Sequence, residues 1–215
     1  MNSKFLILAL ISLATSLSAQ IDFGVKAIYS YDLTSSVTQE YVSIQPVQLT
    51  QIAFAGAEPT KGLGLSFYTE NSKLFLMGDA LYTSTGRNFE LLSLDNKRTP
   101  LDPAVKLTTQ ESNFRLAVNT GLLVNNFKFG FGPEISFRLD QEEDLSTLTQ
   151  VETRDTEVQG GFNFLVGYKL NKNVHIDLKH TYIFQDAGQD FTFDSVPLEF
   201  KRNQKSVELS VGLYF

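Results

Sequence analysis

Cysteine is missing from all 215 positions. No disulfide can staple the chain, no thiolate can hold a metal, and no lipid-modified cysteine can follow an export signal. Tryptophan is absent too, so an aromatic belt would have to be built from 18 Phe and 8 Tyr. Positive charge is scarce: 18 Lys and Arg stand against 24 Asp and Glu, a net of −6. With no basic stripe to neutralise phosphates, nucleic acid is excluded as a partner. Past the first twenty residues, no apolar run approaches the roughly 20 residues that a transmembrane helix needs. There are only two histidines and no G-x-S-x-G nucleophile motif.

The apolar run that does exist opens the chain. Lys4 provides a positive start, FLILALISLATSL from Phe5 to Leu17 an apolar core, and Ser18-Ala19 before Gln20 a cleavage point. That is the layout of a secretory signal peptide. The expectation is a signal peptide over 1–19 and a single domain over 20–215. Exported and without disulfides, that domain must either bury a large core or place its apolar surface in lipid.

Alternation dominates the rest. In SVELSVGLYF, Val207, Leu209, Val211, Leu213 and Phe215 share one face, while Ser206, Glu208, Ser210, Gly212 and Tyr214 share the other. A side-chain period of two is the signature of a strand with unlike faces. The same reading gives eight strands, near 21–33, 61–70, 73–86, 110–124, 126–140, 156–170, 173–187 and 204–215. The strand at 126–140 is the clearest, with Phe127, Phe129, Phe131, Ile135, Phe137 and Leu139 opposite Lys128, Gly130, Gly132, Glu134, Ser136 and Arg138. The strand at 73–86 is noisier, because Phe75, Met77 and Leu81 fall on its nominally polar face.

The links alternate in length. Short ones lie at Glu70–Lys73, Asn125-Asn126 and Asn171–Asn173, where Asn and Ser tolerate tight backbone geometry. Long ones lie near 34–60, 87–109, 141–155 and 188–203. Strict alternation in an antiparallel up-and-down barrel collects three short turns at one end and four long loops at the other.

Parity assigns eleven charges to the polar face: Asp22, Lys26, Asp79, Arg115, Lys128, Glu134, Arg138, Lys169, Asp177, Lys179 and Glu208. Their signs nearly balance, which suits an enclosed network, where an unpaired charge is costly. Aromatics gather toward strand ends: Phe23, Phe127, Tyr168, Tyr214 and Phe215 at the short-turn end, and Tyr29, Tyr31, Tyr82, Phe137, Tyr182 and Phe184 at the other. Alternation by itself does not say which face points outward. A soluble lipocalin-type barrel is the reverse solution. Charge balance, the small residues on the polar face and the aromatic girdles favour an apolar exterior.

A signal segment ending in Ser18-Ala19-Gln20, eight alternating strands and a last strand closing on Phe215 resemble the small outer-membrane β-barrel families of the Gram-negative Bacteroidetes. These are the PorT-like family, also called the outer membrane protein beta-barrel domain, with an architecture similar to the transmembrane domain of OmpA and to OmpX. The resemblance implies an all-β, eight-stranded antiparallel barrel in the cell outer membrane. It also implies outer-membrane lipid and lipopolysaccharide as surroundings, and Phe215 as the residue read by the barrel-assembly machinery.

The expected function is envelope structure or surface adhesion, with a protein or glycan partner on extended outer loops. A narrow porin-like channel, an accessory of a secretion system and a soluble ligand-binding barrel are the alternatives. No catalysis, cofactor or metal is expected. His180 is followed by Thr181-Tyr182 instead of the His-x-Ser arrangement of barrel deacylases, and His175 with Asp177 makes two ligands, fewer than a normal site. The acidic run from Asp140 to Asp144 lacks the spacing of a calcium loop. Loop segments around Pro46 and Pro197 read as β-extensions folding back on themselves.

Overall fold

The structure, a computed structural model, describes residues 21–33, 38–44, 47–94, 105–143, 151–155, 158–184, 189–193, 196–200 and 205–215. The segment expected to be a signal peptide lies outside them.

Eight of the strands are those that alternation predicts: β1 (Asp22–Asp32), β4 (Thr60–Glu70), β5 (Leu74–Leu94), β6 (Val105–Val124), β7 (Phe127–Glu143), β9 (Val158–Lys169), β10 (Val174–Ile183) and β13 (Lys205–Tyr214). Each pairs antiparallel with the next. The ring closes where β1 meets β13, with Val25 opposite Leu213 and Ser30 opposite Glu208. Closure leaves no unpaired edge in the barrel wall, the condition for a sheet to sit in hydrocarbon.

The turns follow from local chemistry. The side-chain oxygen of Asn71 accepts hydrogen bonds from the backbone N–H groups of Lys73 (2.9 Å) and Leu74 (2.8 Å). Asn171 repeats this with Asn173 (2.8 Å) and Val174 (2.9 Å). Asn125 adopts φ 54° in the two-residue turn between β6 and β7, a left-handed conformation that asparagine accepts more readily than most residues.

β5 and β6 are longer than expected, at 21 and 20 residues. A membrane strand needs about 9–11 residues, so roughly half of each projects past the barrel at the long-link end. There β5 also pairs with β3 (Val47–Ala57), which pairs with β2 (Thr38–Ile44). The first long segment therefore contributes an antiparallel strand pair laid onto the projecting sheet. A separate three-stranded sheet joins β8 (Val151–Asp155), β11 (Gln189–Phe193) and β12 (Val196–Phe200). Pro197 sits inside β12, opposite Thr192.

Burial settles which face is outside. On β1, Lys26, Ile28 and Ser30 are buried, while Val25, Tyr29 and Tyr31 are exposed. Leu63, Leu65, Leu116, Phe164, Leu209, Val211 and Leu213 all face outward. A soluble barrel would show the reverse. Phe127 and Tyr168 meet at 4.8 Å between ring centroids on the outer face near the short turns. Tyr214 departs from the expected girdle: it points into the lumen and is 2% exposed. On the outer face, a Cβ added to Gly78 would fall 2.1 Å from the Phe67 ring, which covers that glycine from the neighbouring strand.

The lumen as candidate functional site

An eight-stranded barrel has an interior about wide enough for its own side chains, so what fills it decides what can pass. Charges delivered by six strands form one continuous chain. Lys128 (β7) pairs with Asp177 (β10) at 2.5 Å, and Asp177 with Lys26 (β1) at 3.3 Å. Lys26 pairs with Asp79 (β5) at 2.8 Å, and Asp79 with Lys179 (β10) at 2.6 Å. Lys179 reaches Glu208 (β13) at 3.6 Å, Glu208 holds Arg115 (β6) at 2.8 Å, and Arg115 holds Glu134 (β7) at 2.6 Å. Cation and anion alternate without a break, four of each.

The other two strands join by hydrogen bonds. Ser66 of β4 donates its hydroxyl to Asp79 at 2.7 Å, and Asn163 of β9 donates its amide to Glu134 at 3.4 Å. Every strand of the ring is thus tied to one neutral cluster. In a low-dielectric interior such a cluster holds only if each charge has a partner.

Eight of the eleven sequence-assigned charges belong to this chain. Arg138 lies apart, 3.9 Å from Glu111, a carboxylate that also pairs with Arg87. Lys169 pairs with Glu70 near the short turns. Asp22, half-exposed at the start of β1, takes part in none of these pairs. Arg87 falls in the stretch 87–109 that the sequence reads as a loop, and it lies on the extended portion of β5, whose length the alternation did not reveal. Glu111 falls inside the strand predicted at 110–124 and shares parity with Arg115, but it is missing from the charges assigned to the polar face.

Below the ionic chain, at the short-turn end, is a plug that sequence reasoning also missed. Tyr68, Phe75, Met77, Leu165 and Tyr214 form a buried cluster in the lumen. Tyr68 stacks on Phe75 at 6.2 Å and tilts against Tyr214 at 5.7 Å. The Tyr214 hydroxyl lies 2.9 Å from that of Ser66, and Lys128 stands over the Tyr68 ring at 5.3 Å. Phe75, Met77 and Leu81, which looked like noise in the pattern, are inward residues of β5. The available signal was three apolar residues sharing parity with Asp79.

The two histidines lie on opposite faces. His180 faces outward. His175 is buried against Tyr214 (4.5 Å between centroids) and Tyr68 (4.7 Å), with its Nδ1 3.4 Å from Lys128 Nζ. Among the described residues no group of three His, Asp or Glu side chains is placed to hold a metal ion.

Above the ionic chain the lumen opens into a polar cavity of about 50 Å3 at the long-link end. Its walls include Ser30, Thr85, Asn113, Gln159, Thr181 and Ser206, and its floor is Arg115 and Glu134.

The barrel fold has counterparts among solved structures. The outer membrane protein AlkL, solved by solid-state NMR in DMPC lipid bilayers, superposes with a TM-score of 0.50 over 91% of this chain and 90% of that one, at 13% identity. The fold is that of a small outer-membrane β-barrel. The attachment invasion locus protein Ail of Yersinia pestis, solved in complex with the heparin analogue sucrose octasulfate, aligns over 91% of this chain and 99% of that one, at 10% identity and a TM-score of 0.42. No family model matches the chain, and no curated protein matches it by sequence.

Proposed function

We infer that this chain is an integral outer-membrane protein whose barrel is a non-conducting anchor and whose work is done on the outer side, by docking a protein or a glycan. One observation carries this: the lumen is filled across its width by an alternating ionic chain and, beneath it, by an aromatic plug. A solute crossing the barrel would have to displace both. The outward apolar face supports residence in lipid, because its leucines and phenylalanines would otherwise meet water. The outer-membrane barrel fold supports the same location.

The projecting sheet supports the docking role. β2, β3, β5 and β6 carry paired backbone well beyond the length that spans a membrane. Among the described residues β2 pairs only with β3, so its far edge offers unpaired N–H and C=O groups to an added strand. The N-terminal segment supports export, and the aromatic end of β13 supports delivery by the barrel-assembly machinery.

Planar-bilayer recording on purified protein tests this reading. The expected result is a conductance equal to that of bare lipid, together with partner capture from intact outer membranes that disappears when residues 38–57 are replaced by a short turn. Reproducible unitary steps would overturn the anchor reading in favour of the channel.

A further inference from the structure

The polar cavity above the ionic chain has a closed floor, and its lining is chemically one-sided. Among the described residues it is walled by seven Ser and Thr hydroxyls and two side-chain amides, with Ile183 the one apolar contributor. Four charged residues touch it, and each is already engaged. Arg115 is held by Glu134 and Glu208, and Arg87 by Glu111. Asp32 also has a partner. An anion would find its cations neutralised, and a cation would find its carboxylates taken.

What remains on offer is hydroxyl chemistry, in which each group both donates and accepts. Some of it is spent internally: Thr60 and Thr85 hydroxyls lie 2.5 Å apart, and Thr83 donates to the Asn113 carbonyl at 3.4 Å. Besides the Arg87 Nε–H, which also has no partner, Thr181 stands out. It lines the cavity, is 2% exposed, and its hydroxyl has no protein partner. A buried polar atom without a partner costs about 1–3 kcal/mol, and here it borders space large enough for a few non-hydrogen atoms.

We propose that this cavity is a dead-end binding site for the uncharged, hydroxylated end of a saccharide entering from the outer side. The site rests on the anchor reading above and gives it a ligand class. Among the described residues no aromatic side chain lines the cavity, so the ligand is gripped by its hydroxyl edge and not by a ring face. The volume of about 50 Å3 admits a hydroxymethyl-sized terminus, leaving the rest of the glycan toward the projecting sheet.

The test is an NMR titration of 15N-labelled protein in lipid nanodiscs, with glycerol as a neutral triol probe and sodium sulfate as the anionic control. Glycerol should shift the Thr83, Thr181 and Ser206 amides along saturating curves, and sulfate should not. Thr181→Val, which keeps the shape and deletes the unpartnered hydroxyl, should raise the glycerol dissociation constant about fivefold, while Thr181→Ser restores it. If Thr181→Val does not refold, Ser206→Ala carries the same expectation. Shifts that grow linearly with glycerol, saturation by sulfate instead, or an unchanged constant in the variants would each overturn the site. Bilayer recording on the same sample separates the two claims: linear glycerol shifts in a non-conducting barrel sink the pocket alone, whereas unitary conductance sinks the anchor reading.

Discussion

Asp79 occupies the middle of the ionic chain, and its neutralisation gives the sharpest test of how the lumen is held. It accepts from Lys26 at 2.8 Å, Lys179 at 2.6 Å and the Ser66 hydroxyl at 2.7 Å, and it is 4% exposed. Asp79→Asn keeps the shape and removes the charge. Lys26 is then left with Asp177 at 3.3 Å, and Lys179 with Glu208 at 3.6 Å, the two longest links of the chain. Four cations face three anions among buried side chains. Removing one partner of a buried pair costs about 3–5 kcal/mol. The two broken pairs share a centre and so do not add. With an m-value of about 2 kcal/mol/M, the urea midpoint in lipid vesicles should fall by about 2 M. The decisive comparison is the double variant Asp79→Asn/Lys26→Met, which returns the chain to three charges of each sign and should recover more than half of the loss. If Asp79→Asn unfolds at the wild-type midpoint, or if the double variant is no better than the single, the chain is a set of independent contacts and the argument from enclosed charge balance is wrong.

Two further outcomes check the wall rather than its contents. Leu116, 40% exposed on the outer face, should cost about 2–4 kcal/mol as Leu116→Arg at mid-bilayer depth, read as a lowered denaturant midpoint in vesicles; an unchanged midpoint would mean that this face does not meet lipid. Gly132→Ala should destabilise the β6–β7 seam by about 1–3 kcal/mol, since its Cβ would lie 1.7 Å from the Val118 carbonyl oxygen. Faster amide exchange on both strands should accompany the loss, and a wild-type exchange pattern would show that the seam has room.

The barrel was legible in the sequence because the physics that shapes it is local and periodic. A strand with lipid on one side and a closed lumen on the other must alternate at every step, and β13 does so over its whole length. Turn chemistry was legible for the same reason: Asn71 and Asn171 bond backbone two and three residues away. Parity also delivered Lys26, Asp79, Arg115, Lys128, Glu134, Asp177, Lys179 and Glu208 to one compartment. It could not order them, because order depends on strand register around the ring, and register is not a property of any one segment. The projecting ends of β5 and β6 were not legible. Outside the membrane neither face is required to be apolar, so Arg87–Leu94 carries no lipid-driven period and reads as loop. Tyr214 was misplaced among the girdle residues because an aromatic near a strand end suits either side of the wall; only its parity with Glu208 and Ser210 pointed inward.

The two layers of the lumen are not interchangeable, and their order bears on the proposed role. The aromatic plug sits at the short-turn end, where Tyr68, Phe75 and Tyr214 pack together, all buried. The ionic chain begins beside it at Lys128, whose ammonium both faces the Tyr68 ring and pairs with Asp177. It ends at Arg115 and Glu134, which form the floor of the outer cavity. The inner end adds one ion pair, Lys169 with Glu70, beside the Tyr68 ring, while the outer mouth is lined mainly by hydroxyls. A conduit would need a comparable polar path at both ends. A barrel sealed by rings below, neutralised by ion pairs in the middle and lined by hydroxyls above presents chemistry to one side only, and that side carries the projecting sheet.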